Sequence, residues 1–466
     1  MINPPPPFTS PSFRGRFGVA RRDITPPPGI YSRNWGAATS DVAMGVHRPL
    51  TLTVLTLHGE GDNAPLAILA LDLGWWRSAQ EERILKEAVL AAGIAQGRYL
   101  IALSHTHAGP VFCPGQTEQP GGEKIADYLQ SVVSAMTGAI GEALSNAQPG
   151  LLETATGSCG LAANRDFPDP ERNGERLLVG WNPAAEADQT VLVGRMTDAQ
   201  GRALATLVNY ACHPTILAWE NNRISPDFVG AMREVVETET GAPTLFLQGA
   251  SGDLAPRHQY VGDLNVADRA GRCLGHAVLS ILFGMPEPGG ELVYRGAVES
   301  GAPLALWATR PRTSIPTDLK TQTTEIALPI KPDLPSEAAL LEAIRQCSDR
   351  VEGERLARKL FLRRSLGDGE ALVSPHYLWQ CGEIVFVSVA NEVYSSLQST
   401  LRAAAAPRPL FVITVANGGR GYLSPADSYR LNSYASWQSP FAEGCFEQTI
   451  AVLESAVRSF QTNERR

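Results

Sequence analysis

Short apolar runs rich in β-branched residues alternate along this chain with longer stretches whose apolar residues recur at helical spacing. The runs predict strands at residues 51–57, 66–73, 99–104, 151–156, 191–196, 203–210, 244–247, 292–298, 384–389 and 411–415. Between them, helices are predicted at residues 79–92, 123–146, 227–240, 266–283, 337–364, 392–405 and 443–460. This alternation favours an α/β layered fold with a mixed β-sheet flanked by helices.

One change of pattern interrupts the alternation, between about residues 300 and 374. A segment rich in Pro and Thr, with a strand-like pattern, is followed there by a long charged helix. We interpret this segment as a surface excursion within a single domain of residues 17–462, not as a second domain. The four prolines from Pro4 to Pro7 predict that residues 1–16 form a flexible, extended arm.

Composition narrows the class of protein. The 466 residues are 44% hydrophobic and 19% charged, with a formal net charge of −8, and no run of Lys and Arg predicts nucleic-acid binding. The most apolar stretch, APLAILALDLGWW, is too short to cross a bilayer and contains Asp72, so we expect no transmembrane segment.

The expected location is the cytoplasm. The N-terminus lacks the charged-then-apolar pattern of a secretory signal. The seven cysteines are scattered with no CxxC pair, and their odd number in a large chain argues against a disulfide framework and for a reducing compartment. A secreted or periplasmic location is the alternative if a leader has been trimmed away.

Unusual polar residues lie where predicted strands stop, and ligands of open α/β sheets gather at the carboxyl ends of strands. The stretch RYLIALSHTHAGP contains His105 and His107, and alternate residues of a strand share a face, so both rings would point the same way. His213 follows the apolar run of LVNYACHPT. Glu392 lies in VANEVYSS, and Tyr422 follows the Gly-rich loop of NGGRGYLSP.

Each of these residues also has a plainer interpretation. The two histidines of SHTH could be metal ligands, an acid/base pair or polar loop filling, and His213 could be a turn histidine. Glu392 could stabilise a helix N-terminus through the helix dipole. Tyr422 could fill the core with its hydroxyl bonded, and Asp253 in GASGDLAP could cap a turn.

As a set, these residues fit a metal site better than their plainer interpretations do. Two or three histidines, one carboxylate and a further oxygen ligand match the preferences of Zn²⁺ in a hydrolytic site, with a position left for water. The chain has no GxSxG elbow, no HExxH helix, no P-loop and no convincing GxGxxG after a strand.

The order of the motifs resembles the neutral (non-lysosomal) ceramidase family. The motifs are FGVARRDITPPPGI, ALDLGWW, SHTHAGP, AANRDF, LVNYACHPT, FLQGASGDLAP, ANEVYSS and NGGRGYLSPADSY. The resemblance runs from about Phe17 to the C-terminal helix. It is to the catalytic domain and to short bacterial relatives without the C-terminal immunoglobulin-like domain. It implies a zinc-dependent amide hydrolase that cleaves the N-acyl bond of ceramide into fatty acid and sphingosine.

The resemblance also implies roles for individual residues. Four of them resemble the family's zinc ligands: His105, His213, Glu392 and Tyr422. His107 resembles the histidine that lies beside the metal and serves the reacting amide. Arg165 in AANRD resembles the arginine that orients the substrate or stabilises the oxyanion, and Tyr422 also counts among the catalytic residues.

One departure concerns the substrate. The GDLAP element has Ala255 where ceramidases proper have a serine that contacts the substrate, so Asp253 and Ala255 mark the predicted substrate-binding positions. The expected partner is a small-molecule or lipid-like N-acyl substrate. Two alternatives follow: a metal-dependent hydrolase of a smaller, non-ceramide amide or ester, and a catalytically silent family member.

Overall fold

Strands and helices alternate through the computed structural model, which describes residues 5–61, 64–367 and 369–462. The strands are β1 (Ser12–Asp23), β2 (Gly45–Val46), β3 (Thr51–His58), β4 (Leu66–Leu71), β5 (Tyr99–Leu103), β6 (Gln148–Ser158), β7 (Ala162–Asn164), β8 (Asp166–Pro168), β9 (Leu177–Val179), β10 (Thr190–Asp198), β11 (Ala203–Tyr210), β12 (Arg223–Ile224), β13 (Thr244–Gln248), β14 (Leu254–Pro256), β15 (Gly290–Glu299), β16 (Pro303–Pro311), β17 (Leu319–Pro329), β18 (Ala371–Cys381), β19 (Ile384–Val389), β20 (Glu392–Val393), β21 (Leu410–Thr414) and β22 (Tyr422–Leu423). The helices are α1 (Ala79–Ala91), α2 (Ile125–Ser145), α3 (Phe228–Thr240), α4 (Leu264–Phe283), α5 (Glu337–Gln346), α6 (Arg350–Leu366), α7 (Ser395–Ala405), α8 (Ala426–Arg430), α9 (Tyr434–Gln438) and α10 (Cys445–Thr462).

Two mixed sheets form the centre of the fold. The larger has eight strands in the order β13-β11-β10-β6-β1-β3-β4-β5, and the smaller has four in the order β17-β18-β19-β21. Only the pairs β11–β13, β4–β5 and β19–β21 are parallel within these two sheets. The prediction of a mixed sheet flanked by helices is confirmed, although the strands divide between two sheets.

The two sheets share one apolar core. Phe13 and Phe17 of β1 are buried in the same cluster as Trp379, Phe386 and Phe411 of the smaller sheet. Strands β4, β5, β19 and β21, which are buried along their whole length, consist of nearly continuous apolar runs rather than alternating ones. Complete burial of each such side chain contributes about 1.5–3 kcal/mol.

Helices cover the outer faces of both sheets. Apolar residues of α1 and α2 join a cluster with β3, β4 and β5, and those of α3 and α4 join one with β10, β11 and β13. Helices α7 and α10 pack on β18, β19 and β21. The order of layers is therefore helix, large sheet, small sheet, helix. None of the helices in the described ranges has the length and apolarity to cross a bilayer.

Three segments differ from their prediction. Residues 12–16, assigned to a flexible arm, belong to β1 between β6 and β3, while residues 1–4 lie outside the described residues. The helix predicted at 337–364 is two helices, because Asp349 caps a new one by accepting a hydrogen bond from the Glu352 amide at 2.8 Å. The segment 300–374 lies only in part on the surface: β16 is exposed throughout, but β17 and β18 complete the smaller sheet.

Candidate metal centre and the cavity above it

The predicted ligands converge where strands end. His105 lies two residues beyond β5, and His213 lies three residues beyond β11. Glu392 follows β19 and opens β20, whereas Tyr422 follows β21 and opens β22. Strands β20 and β22 are parallel, and Glu392 is paired directly with Tyr422 in their register. The site therefore lies at the carboxyl ends of four strands drawn from both sheets.

The two histidines of SHTH meet for a different reason than strand alternation. Strand β5 ends at Leu103, and His105 has a φ of 68°, in the left-handed region that non-glycine residues rarely adopt. This turn, not a continuing strand, sets the two rings 5.0 Å apart and nearly perpendicular, at 86°. The shared strand face predicted for His105 and His107 is thus wrong, although their convergence is confirmed.

His105 and His213, the two buried histidines predicted as ligands, present the same nitrogen to the centre. Nδ1 of His105 is 3.2 Å from the carbonyl oxygen of Gly74, and Nδ1 of His213 is 2.6 Å from that of Ser251. A carbonyl oxygen accepts only, so each Nδ1 carries the proton and donates it. Nε2 of each ring faces inward and carries the lone pair in the neutral form, which is the tautomer that metal-binding histidines adopt.

A carboxylate faces these two lone pairs. Oε2 of Glu392 is 3.2 Å from Nε2 of His105 and 3.1 Å from Nε2 of His213. Burial and the nearby charge of Arg165 lower the pKa of His213 to about 3, so the ring is neutral near pH 7. Its one N–H is already donated to Ser251. Two acceptors then face each other with no proton between them, an arrangement that a cation would stabilise.

The separations also fit one ion. Two ligands of a tetrahedral zinc site lie about 3.3 Å apart, given metal–nitrogen and metal–oxygen distances near 2.0–2.1 Å. The Tyr422 hydroxyl is 3.4 Å from Nε2 of His213, close to the same spacing as the two Glu392 distances. The residues present are therefore compatible with a metal site.

His107 lies beside this centre. One nitrogen of each of His105, His107 and His213 falls within 4.8 Å of the others, so His107 could also serve as a ligand. Its ring packs against the indoles of Trp35 and Trp75, at centroid distances of 5.3 and 4.7 Å. Burial, and then the neighbouring histidines, lower its pKa well below the usual value. Its Nε2 is buried without a hydrogen-bond partner.

Arg165 lies against the predicted tyrosine ligand. Its Nη2 donates to the Tyr422 hydroxyl at 2.9 Å and also to the carbonyl oxygen of Gly252 at 2.9 Å. Arg165 is almost fully buried and follows β7, as the AANRD motif predicts. The guanidinium thus orients the hydroxyl oxygen whose other neighbour is Nε2 of His213.

The two predicted substrate-binding positions lie in the interior. Asp253 accepts hydrogen bonds from the amide and the hydroxyl of Ser395, at 2.6 and 2.7 Å, and so holds the start of α7, three residues after Glu392. Ala255 is 1% exposed and pairs with Ala163 between β14 and β7. Neither is among the described residues of the cavity wall. Their role toward a substrate stays a prediction.

A cavity that opens to solvent, with about 810 Å³ of empty space when the open space at its mouth is included, lies over His107, Glu392 and Tyr422. Part of its wall is apolar: Trp75, Trp76, Phe361 and Leu362. Another part is polar or charged: Arg77, Arg358, Tyr434 and Gln438. The ring of Tyr434 is 5.8 Å from that of Tyr422.

Most residues of this wall were not predicted as site residues from the sequence. The Trp-Trp-Arg of ALDLGWWR directly follows an apolar run, the same signal that pointed to His105, and so could have been found. Arg358, Phe361 and Leu362 come from α6, in the segment interpreted as a surface excursion, and Tyr434 begins α9. Only the tertiary fold brings these helices over the site.

Comparison with known proteins adds the class of fold. The protein-family models contain no match to this chain, and a search of curated proteins gives no significant match. Among solved structures, neutral ceramidase from Pseudomonas aeruginosa matches with a TM-score of 0.68 and 16% identity, over 97% of this chain and 75% of that one. A ceramidase complexed with C2 gives the same TM-score and identity, over 97% and 76%.

The fold is therefore that of the neutral ceramidases, as the motifs indicated. The structural match establishes the shared fold, and at 16% identity the activity has to be argued from the site.

Proposed function

We propose that this chain is a zinc-dependent hydrolase of the neutral ceramidase family that cleaves an N-acyl amide bond. The observation that carries the proposal is that Oε2 of Glu392 lies within 3.2 Å of Nε2 of both His105 and His213, with no proton available between His213 and the carboxylate. Such a set of acceptors has little purpose in a buried site except to hold a cation.

The ligands in this proposal are His105, His213, Glu392 and Tyr422. Two imidazoles and two oxygen ligands suit zinc. The donor hydrogen bonds from each Nδ1 to a backbone carbonyl fix the ring orientations, as outer contacts of metal-bound histidines usually do. When bound, zinc supplies a Lewis acid that lowers the pKa of water toward neutrality and polarises the substrate carbonyl.

His107 then serves as the general acid and base. Its depressed pKa keeps the ring neutral near pH 7, so it can accept a proton as water attacks and return it to the leaving amine. The unpartnered Nε2 is the atom available for that transfer. The histidine lines the cavity next to Glu392, where a substrate carbonyl has access to both.

Arg165 positions Tyr422 and keeps positive charge near the reacting centre. Its hydrogen bond to the Tyr422 hydroxyl is 2.9 Å long, and burial raises the pKa of that tyrosine well above its usual value. In this proposal Arg165 acts through the Tyr422 hydroxyl, which lines the cavity and can donate to the carbonyl oxygen as negative charge develops on it, an effect worth about 3 kcal/mol for one well-placed donor.

The test is hydrolysis of N-acyl amides with and without metal. Purified protein is stripped with a chelator, dialysed, and assayed on short and long N-acyl amides before and after addition of zinc. We expect no turnover in the stripped protein and full recovery with about one equivalent of zinc. Turnover that is indifferent to stripping would contradict the proposal, and so would a zinc-loaded protein that is inert on every amide of the panel.

A further inference from the structure

Two guanidinium groups line the cavity on the indole of Trp75. The guanidinium carbon of Arg77 is 4.6 Å from the centroid of this ring, and that of Arg358 is 5.4 Å away. The ring of His107 lies 4.7 Å from the same indole. The indole of Trp75 therefore contacts His107, the proposed general acid, and both guanidinium groups.

Hydrogen bonds to one asparagine hold the two guanidinium groups in place. Nη2 of Arg77 donates to the side-chain oxygen of Asn34 at 2.7 Å, and Nη2 of Arg358 donates to its main-chain oxygen at 2.6 Å. The Asn34 amide in turn donates to the carbonyl oxygen of Gly109, next to the SHTH turn, at 2.8 Å. The two cations are thus built into the site.

The positive charge at this place is not balanced within the described chain. Glu354 pairs with Arg358 at 2.6 Å but also with Arg33 at 2.7 Å, and Asp41 is shared between Arg33 and Arg350. Four guanidinium groups, with that of Arg77 included, lie around these two carboxylates. A third carboxyl, that of Glu81, accepts a hydrogen bond from the Arg77 amide, and burial raises its pKa to about 7, so it balances little of this charge. The Arg77 guanidinium has no carboxylate partner among the described residues, and burial, followed by the charge of Arg358, lowers its pKa.

Arg77, whose guanidinium has no carboxylate partner in the described chain, and Arg358, which shares Glu354 with Arg33, together have the charge and geometry to bind an anion. The planar guanidinium matches a carboxylate or phosphate with paired hydrogen bonds, and it stacks on aromatic rings. Beside the arginines, Phe361 and Leu362 provide an apolar surface for an acyl chain. Ceramide carries no anionic group, so this charge would have no partner in it.

We propose that the substrate is an N-acyl amide whose amine part carries a carboxylate or phosphate, and that Arg77 and Arg358 bind this anion. The inference rests on the proposed function and narrows its substrate class. Hydrolysis would consume one water, break the C–N bond and form a C–O bond, releasing a fatty carboxylate and an amine that takes up the proton. In an N-acyl amino acid only the amide nitrogen and the α-carbon separate the anion from the scissile carbonyl.

The test compares N-octanoylglycine with N-octanoylglycinamide, which differ only in the negative charge. We expect kcat/KM to be about 10- to 100-fold higher for the carboxylate, mainly through KM, as hydrogen bonds to charged groups allow. N-octanoyl-phosphoethanolamine is the third substrate and decides between carboxylate and phosphate as the preferred anion.

Three variants test the assignment. Arg77→Gln and Arg358→Gln should each reduce the preference to within about threefold, because the remaining guanidinium cannot clamp the anion alone. Glu354 keeps Arg33 as its partner in Arg358→Gln, so the fold is not left with an unpaired carboxylate. Arg355→Gln is the matched control: it lies on the same helix, is 56% exposed, and should keep the preference.

A binding measurement separates this inference from the proposed function. Both glycine compounds are titrated calorimetrically into zinc-loaded His107→Ala protein, in which turnover should be about 10²- to 10⁴-fold slower. The anion site is supported if the carboxylate binds more tightly than the carboxamide and if this difference is lost when Arg358→Gln is added to His107→Ala. This result would support the site even if no amide is hydrolysed. Equal turnover and equal binding of the two compounds would overturn the inference while leaving an amide hydrolase intact.

Discussion

Nε2 of His213 lies 3.1 Å from Oε2 of Glu392, although the only proton of that neutral ring is donated on its other side, to Ser251. A lone pair and a carboxylate at this distance repel each other. The pair therefore costs free energy in the metal-free protein and stabilises the protein only when a cation separates the two groups.

Glu392→Gln should have opposite effects on the metal-free and the metal-loaded protein. The amide of glutamine donates a hydrogen bond to Nε2 of a neutral histidine, so the metal-free variant should be more stable by about 1 kcal/mol. Zinc affinity should fall more than the roughly 10- to 100-fold expected for loss of an outer contact. Denaturant unfolding and zinc titration measure the two effects. A metal-free variant that is less stable than the original chain would contradict the repulsion.

Zinc should stabilise the folded protein by an increment that grows with the logarithm of its concentration above the dissociation constant. At 100 times its dissociation constant, a ligand that binds only the folded state adds about 2.7 kcal/mol to the free energy of unfolding. Thermal unfolding followed with rising zinc measures this increment. His213→Ala should lose the increment, whereas His276→Ala, an exposed histidine of α4, should retain it. An equal increment in both variants would place the metal elsewhere.

His107→Ala should remove activity and leave the metal. Loss of a positioned general acid reduces kcat by about 10²- to 10⁴-fold. The expected result is a protein with normal zinc content that turns over its best N-acyl substrate at this reduced rate. If zinc is lost together with activity, His107 is a ligand, as its distance from the other two histidines also allows.

Asp253→Asn should remove a pH dependence of stability. Burial raises the pKa of Asp253 to about 6, from 3.8. The folded state then binds more protons than the unfolded state between about pH 4 and pH 6, so stability falls as pH rises through that window, by roughly 3 kcal/mol in all. The asparagine variant should lack this slope, which denaturant unfolding at several pH values would reveal.

The same variant tests the predicted role of Asp253 toward the substrate. Its side chain holds Ser395 at the start of α7. We therefore expect Asp253→Asn to change the stability of the protein but to alter KM less than about threefold, because residues without direct contact usually affect each other by only a few tenths of a kcal/mol. A large rise in KM at unchanged stability would instead support substrate binding by Asp253.

A site residue could be predicted when the sequence next to it carries a local pattern, such as a preceding apolar strand. His105, His213, Glu392 and Tyr422 could be found because each closely follows an apolar strand, and the carboxyl ends of strands meet in a layered α/β fold. The left-handed turn at His105 was not predictable, since local propensity disfavours it and only tertiary contacts hold it.

The cavity wall was beyond prediction for a related reason. Arg358 and Trp75 are far apart in sequence, and the charged pattern of α6 is that of an exposed helix. A helix whose charges line an enzyme cavity has the same sequence pattern as one whose charges face water. Only the packing of α6 over the strand ends reveals its part in the site.

The most direct test of the metal site is the zinc content of the purified protein after dialysis, measured by mass spectrometry. We expect about one zinc per chain in the original protein, in His107→Ala and in His276→Ala, and almost none in His213→Ala. A protein that binds no zinc, or that binds it equally well in His213→Ala, would contradict the central claim.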